Sequence, residues 1–221
     1  MRYIERNIEN ATKYLNEEKF DLLLPLKKNE KSLILLSGGI DSTVALYLAK
    51  KLNSNITGMQ FFYQGRPLKE KKNIKKICGL IGIQKVDVSY PFAVETDSRE
   101  KISLNESNAF YYITASNFAD KKDIEKIISG QILTDWYPKM ISFATPSHYK
   151  KLNRIIKDEY SEKNIKILLP FMYLNKRQVV GLGKKLGVPF ELTSSCPTSE
   201  EPCTVCPQCE ERVEAFKLNG I

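Results

Sequence analysis

Ser32-Leu33-Ile34-Leu35-Leu36-Ser37-Gly38-Gly39-Ile40-Asp41-Ser42 is the stretch that decides the fold. Its apolar run is short, and its flanks are polar and glycine-rich, which reads as a buried β-strand. The residues that follow, STVALYLAKKL over 42–52, have the length and patterning of a helix. A strand that passes into a helix through Gly-Gly forms a tight turn whose backbone can approach a ligand closely. The N–H groups at the helix start then face an anion, helped by the helix dipole. Ser37 and Ser42 add hydroxyl donors, and Thr43 offers one more. No lysine closes the loop, so it is not the G-x-x-x-x-G-K-S/T phosphate loop. The plainer reading is a glycine turn capped by Asp and Ser. The full string after a β-run is more specific than that.

Outward from this point, strand and helix patterns alternate. Strands are expected at 56–63, 85–89, 126–130 and 165–169, and helices at 69–83, 108–119, 146–162 and 175–186. Gly187 and Pro189 end the last of these helices. Such alternation implies βαβ units and a parallel sheet sandwiched by helices, an α/β fold. Residues 90–104, with Pro91 and Asp97, read as a long loop. Residues 1–30 are polar and helix-like, and are read as an N-terminal helical extension. The main domain is expected over 31–221.

The bulk numbers bound the class. A chain of 221 residues suffices for one α/β domain with a sizeable core. No apolar run approaches the ~20 residues that span a bilayer, and the first residues hold no secretory h-region. A cytoplasmic protein without membrane contact is the expectation. The net charge of +8 has two readings, nucleic-acid or anion binding and a lysine-rich solvated surface. Lysines are dispersed and not interleaved with aromatics, which disfavours nucleic acid and leaves phosphate-rich small ligands.

Four of the five cysteines, Cys196, Cys203, Cys206 and Cys209, are spaced C-x6-C-x2-C-x2-C. In a reducing compartment this favours a metal over disulfides. Four thiolates close a tetrahedral sphere, which argues for structural Zn2+; an iron–sulfur cluster or a redox pair are the other readings. Pro197, Pro202 and Pro207 favour loop structure over 196–209. The fifth, Cys78, is expected to be a core thiol. The single histidine, His148, is not needed as a ligand.

Ser37-Gly38-Gly39-Ile40-Asp41-Ser42 resembles the SGGxDS signature of the PP-loop ATP pyrophosphatases, which cleave ATP between the α and β phosphates. Asn175-Lys176, Leu186-Gly187-Val188-Pro189, Ser195-Cys196 and the run Cys203-x2-Cys206-x2-Cys209-x2-Arg212-x3-Phe216 sharpen this. Together they are similar to the 7-cyano-7-deazaguanine synthase family, from about Ser32 to the end. The resemblance implies an ATP-dependent C–N ligase that adenylates 7-carboxy-7-deazaguanine for attack by ammonia, giving first an amide and then a nitrile, on the queuosine route. It also implies a Rossmann-like fold, a homodimer, a structural zinc ion, and ATP with Mg2+ on residues 37–43. Asp41, Ser37 and Lys176 become the candidate catalytic residues, with Lys176 on phosphate and Asp41 orienting the loop or holding Mg2+. Arg66, Asn108, Asp135 and Tyr137 become the candidate substrate residues.

The chain departs from the family pattern on the substrate side. Pro67 stands in place of a histidine, Ser107 in place of an arginine, and Lys139-Met140 in place of Asp-Cys. ATP and zinc features are intact. Two further readings follow. One is a paralogue, of the kind found in anti-phage clusters, that couples a deazapurine acid to another amine such as a protein N-terminus. The other is a non-catalytic ATP- and zinc-binding subunit. A PP-loop enzyme acting on tRNA is a third class, disfavoured because no appended RNA-binding domain is evident.

Overall fold

The structure, a computed structural model, describes residues 2–53, 55–63, 68–90, 94–95, 101–102, 108–133, 145–196 and 201–221. Five parallel strands form the main sheet. They are β1 (Ser32–Leu35), β2 (Ile56–Tyr63), β3 (Gln84–Tyr90), β6 (Lys126–Ile128) and β7 (Lys166–Leu168), in the order β3-β2-β1-β6-β7. β1 is central: Ser32 aligns with Ile56 on one side and with Lys126 on the other. The chain winds outward from β1 through β2 to β3, then crosses back to β6 and β7. The order therefore reverses between β1 and β6, where doubly wound sheets form ligand crevices beyond the strand C-termini.

Both faces of β1 are buried, so its apolar run is continuous and does not alternate. Ile34 packs with α3 (Ile40–Leu52), α4 (Leu68–Leu80) and α7 (Lys176–Lys185). Leu33 faces the other layer, with Met59, Ile127, α5 (Asn108–Lys122) and α6 (Pro146–Glu159). Each of these aliphatic side chains contributes about 1.5–3 kcal/mol by leaving water. α3 has eight of its thirteen residues buried, which explains why its pattern shows no sharp polar stripe. α1 (Arg2–Asn16) and α2 (Phe20–Leu23) send Ala11, Leu15 and Phe20 into the first core, joined by Leu24. Cys78 is buried in that core, as expected.

Three local details differ from the sequence expectations. Within 90–104, β4 (Val94–Glu95) and β5 (Lys101–Ile102) form a short antiparallel ladder. Two residues per strand are too few to display an alternating pattern. Asn175 is not inside α7 but caps it. Its side chain accepts from Gln178 N at 2.9 Å, and Gln178 Oε1 accepts from Asn175 N at 2.9 Å. Pro207 does not extend a loop: it begins α8 (Pro207–Leu218), with Cys206 as N-cap. Proline fits the first helical position because its fixed φ suits the helix and its missing N–H would be unpaired there. Among the described residues, no helix is long and apolar enough to cross a membrane.

Candidate functional site

The loop between β1 and α3 is held open by its own polar groups. Gly38 has φ +84°, a region glycine enters without steric cost. Ser42 Oγ accepts from Ser37 N at 3.2 Å and lies 3.0 Å from Ser37 Oγ. Gly39 O accepts from Thr43 Oγ1 at 2.9 Å and from Ser42 Oγ at 3.2 Å. Gly39 is the N-cap of α3, and no side chain caps this helix end. Among the described residues no side chain of the N-cap satisfies the first-turn N–H groups, an arrangement that an anion completes. From the other side, the segment after β6 comes so close that a Cβ on Gly130 would lie 2.6 Å from Asp41 C and O. Only glycine permits this approach.

Asp41 sits in the first turn of α3. Its Oδ2 accepts from Lys176 Nζ at 2.7 Å, and Glu211 Oε2 lies 3.6 Å from the same nitrogen. Burial raises the Asp41 carboxyl above its ordinary range, and the Lys176 charge and hydrogen bond oppose that rise. Asp41 Oδ1 is buried with no hydrogen-bond partner among the described residues. Lys176 is the first residue of α7, held there by the Asn175–Gln178 capping box. A cation at a helix N-terminus opposes the dipole. The carboxylates of Asp41 and Glu211 offset that cost.

These groups border a cavity of about 700 Å3 at the C-terminal edge of the sheet. Its polar side is made by Ser37, Gly39, Ile40, Asp41, Ser42, Glu70 and Lys176. Its far side carries Phe61, Tyr111, Tyr112, Ser129 and Gln131. The Phe61 and Tyr111 rings are 5.0 Å apart and tilted. Tyr112 Oη donates to Ser129 Oγ at 2.9 Å, and burial pushes its phenol further up, so it stays a neutral donor. The third side is Ser194, Ser195, Cys196, Gln208, Glu211 and Arg212.

The four cysteines converge at that third side. Their sulfur atoms all lie within 4.8 Å of one another, with Cys203 and Cys209 4.0 Å apart. A zinc tetrahedron with Zn–S of about 2.3 Å separates its sulfurs by about 3.8 Å, so the cluster fits a metal ion with small adjustment. The Val205 backbone N–H helps hold the Cys203 thiol below its usual range, while burial pushes Cys206 up to about 11. A bound cation would favour the thiolate at every position.

Of the expected site residues, Ser37, Gly39, Ile40, Asp41, Ser42 and Lys176 line one cavity. Gly38 and Thr43 stand behind it, supporting the loop through Gly38 O and the Thr43–Gly39 bond. Asn108 is the first residue of α5. Arg66, Asp135 and Tyr137 lie outside the described residues, as do Pro67, Ser107, Lys139 and Met140. His148 lies on α6 and does not line the cavity; burial and then Lys151 lower its pKa. Sequence reasoning did not select Tyr111, Tyr112, Ser129, Ser194 or Glu211. The Ser129-Gly130-Gln131 break after a strand was the one local signal available for Ser129.

A family model described as queuosine biosynthesis protein QueC matches residues 31–103 and 93–220. The chain belongs to this family. It is 33% identical over 220 residues to the 7-cyano-7-deazaguanine synthase of Campylobacter jejuni subsp. jejuni serotype O:2, covering 87% of this chain and 96% of that protein. The 7-cyano-7-deazaguanine synthase of Sulfurimonas denitrificans is 31% identical, over 86% of this chain and 94% of its own. Two solved structures share the fold of this family member. An NMN synthetase from Francisella tularensis superposes with TM-score 0.57 at 18% identity, over 98% of this chain and 93% of that one. A U34-tRNA thiolase from Methanococcus maripaludis, solved with its 4Fe-4S cluster, gives TM-score 0.54 at 19% identity, over 96% and 75%.

Proposed function

We propose that the chain is an ATP-dependent ligase of the 7-cyano-7-deazaguanine synthase type. The observation that carries this is the single cavity in which an uncapped helix start, the Asp41–Lys176 pair and an aromatic wall meet. In this reading the N–H groups of the 37–43 loop and Lys176 hold the phosphates of ATP. The buried, unpartnered Asp41 Oδ1 is the atom assigned to the Mg2+ that ATP carries. The planar acid lies toward Phe61, Tyr111 and Tyr112, whose rings suit a flat heterocycle. Zn2+ in the four cysteines would hold the C-terminal segment in place.

The chemistry then runs as follows. A carboxylate oxygen of 7-carboxy-7-deazaguanine attacks the α-phosphorus, the bond to the bridging oxygen breaks, and pyrophosphate leaves. Ammonia attacks the carbonyl carbon of the acyl adenylate; AMP and a proton depart, leaving the amide. The amide oxygen is activated by a second ATP in the same way. Loss of AMP and the remaining amide protons gives the nitrile. The protein contributes positioning and a fixed field for the charge that develops on the phosphates.

A second reading is favoured by the substitutions at Pro67, Ser107, Lys139 and Met140. It keeps the adenylation half-reaction and replaces ammonia by another amine, such as a protein N-terminus. One assay separates the two: purified protein with Mg-ATP, 7-carboxy-7-deazaguanine and ammonium, products read by mass spectrometry. Nitrile supports the first reading. AMP with adenylate or amide alone supports the second. No acid-dependent AMP removes both. Homodimerisation, inferred from the family resemblance, is checked by light scattering.

A further inference from the structure

Cys196 takes part in two places at once. Its sulfur belongs to the four-cysteine cluster, and the residue lines the cavity. From the cysteine segment two lines of contact run to the anion loop. On the first, Ser194 N donates to Gly38 O at 2.8 Å, so the chain just before Cys196 is fastened to the glycine of positive φ. That chain is itself held to α8 by Arg212, one turn beyond Cys209. Arg212 Nη1 donates to Thr193 Oγ1 at 2.7 Å and to Ser195 Oγ at 3.3 Å, and Nη2 donates to Phe190 O at 2.8 Å. The guanidinium also lies over the Phe216 ring at 4.4 Å. On the second line, Glu211 of α8 reaches Lys176, which reaches Asp41.

We infer that the four-cysteine segment and the anion loop are energetically coupled, with Glu211 and Arg212 as the positioning residues that carry the coupling. The inference rests on the reading of the loop as a nucleotide site. Its physical basis is the start of α8. Cys206 is the N-cap, and its carbonyl accepts from Cys209 N at 2.9 Å and Glu210 N at 3.0 Å. Two metal-ligating residues therefore lie in the first turn, and metal binding in such clusters is also folding energy. Holding the four sulfurs together fixes that turn, and Glu211 and Arg212 follow directly from it. Glu211 then keeps Lys176 at the cavity edge, and Arg212 keeps Ser194 on Gly38. Lysine cannot reproduce the fork by which Arg212 reaches three oxygens.

Coupling of this kind is reciprocal: zinc must strengthen nucleotide binding by the factor by which nucleotide strengthens zinc binding. The expected factor is on the order of tenfold. The test uses the zinc-loaded full chain. ATP affinity in the presence of Mg2+ is measured by calorimetry for the wild type, Glu211→Gln and Arg212→Lys, with zinc content and melting temperature read on each sample. Zinc affinity is measured by competition with a chromogenic chelator, with and without saturating ATP. Both variants should keep one zinc per chain yet bind ATP about tenfold more weakly. ATP should strengthen zinc binding in the wild type and lose that effect in the variants. Equal ATP affinity in zinc-loaded wild type and variants overturns the coupling alone. So does a wild-type zinc affinity that ATP leaves unchanged, and this arm decides even if Arg212→Lys fails to fold. A wild type that binds no ATP overturns the nucleotide reading itself, and the coupling with it.

Discussion

Gly130→Ala is the sharpest test of the site's construction. The added Cβ would lie 2.6 Å from Asp41 C, 2.6 Å from Asp41 O and 2.7 Å from Ser42 N. All three are backbone atoms at the start of a buried helix, so none can rotate away. Ordinary contact begins at 3.4 Å, and the difference from 2.6 Å requires the two segments to part by about 0.8 Å. Overpacking of this sort costs about 1–3 kcal/mol. For a chain of this size that lowers Tm by roughly 2–12 °C. The effect on turnover is larger in proportion, because misplacing reacting groups by about 1 Å costs on the order of 10²-fold. Gly79→Ala is the matched control. A Cβ there meets nothing within 4 Å, and the residue lies inside α4. Alanine should stabilise that helix by up to about 1 kcal/mol. The assay pairs thermal melts with acid-dependent AMP release. A Gly130→Ala protein that melts and turns over like the wild type would refute the close-approach argument. Equal losses in both variants would show that glycine replacement, not geometry, is responsible.

Asp41→Asn should reduce AMP release by at least about 10²-fold, on the scale of a lost preorganised charge. Its Tm should fall by several degrees, because Lys176 is left with Glu211 as its remaining carboxylate in the cavity; retained activity would remove Asp41 from the mechanism. Cys206→Ser should lose bound metal and melt roughly 10 °C lower, since metal binding and folding are linked; unchanged zinc content and Tm would end the structural-metal assignment. Cys78 should resist iodoacetamide in the native protein at pH 8, because burial lifts its thiol to about 11. The sign follows: a raised pKa means the thiol's contribution to stability is full below pH 9 and is lost as pH rises through 11. Wild type should therefore lose more stability than Cys78→Ala between pH 9 and 11 in urea melts.

The heart of the fold was legible because β1, its glycine turn and α3 change period abruptly, from a continuous apolar run to a helical one. The loop could be located from residues 32–42 alone. Asp41 and Lys176 are 135 positions apart and meet because α7, which follows β7, packs against α3. Local pattern says nothing of that, and Lys176 was reached through family resemblance. Tyr111 and Tyr112 were hidden for a related reason. α5 is apolar on several sides, so its sequence does not say which side borders the cavity. α8 was hidden by Pro207, which signals a break in one context and a helix start in another. Glu211 carries no motif of its own, and its importance comes from where α8 ends up.

β1 occupies the middle of the sheet yet is made first. Its partner β2 follows within about twenty residues, whereas β6 begins at Lys126, ninety-one positions after Leu35. At about 5–20 residues per second of synthesis, one side of β1 has no strand beside it for roughly 5–20 seconds. During that interval Leu33, Ile34 and Leu35 form an apolar ribbon with open hydrogen-bonding groups, the kind of edge that recruits other chains. Placing the glycine loop on the most central of these five strands, and the first of them to be made, thus gives the nascent protein a sticky middle age, which ends when β6 docks.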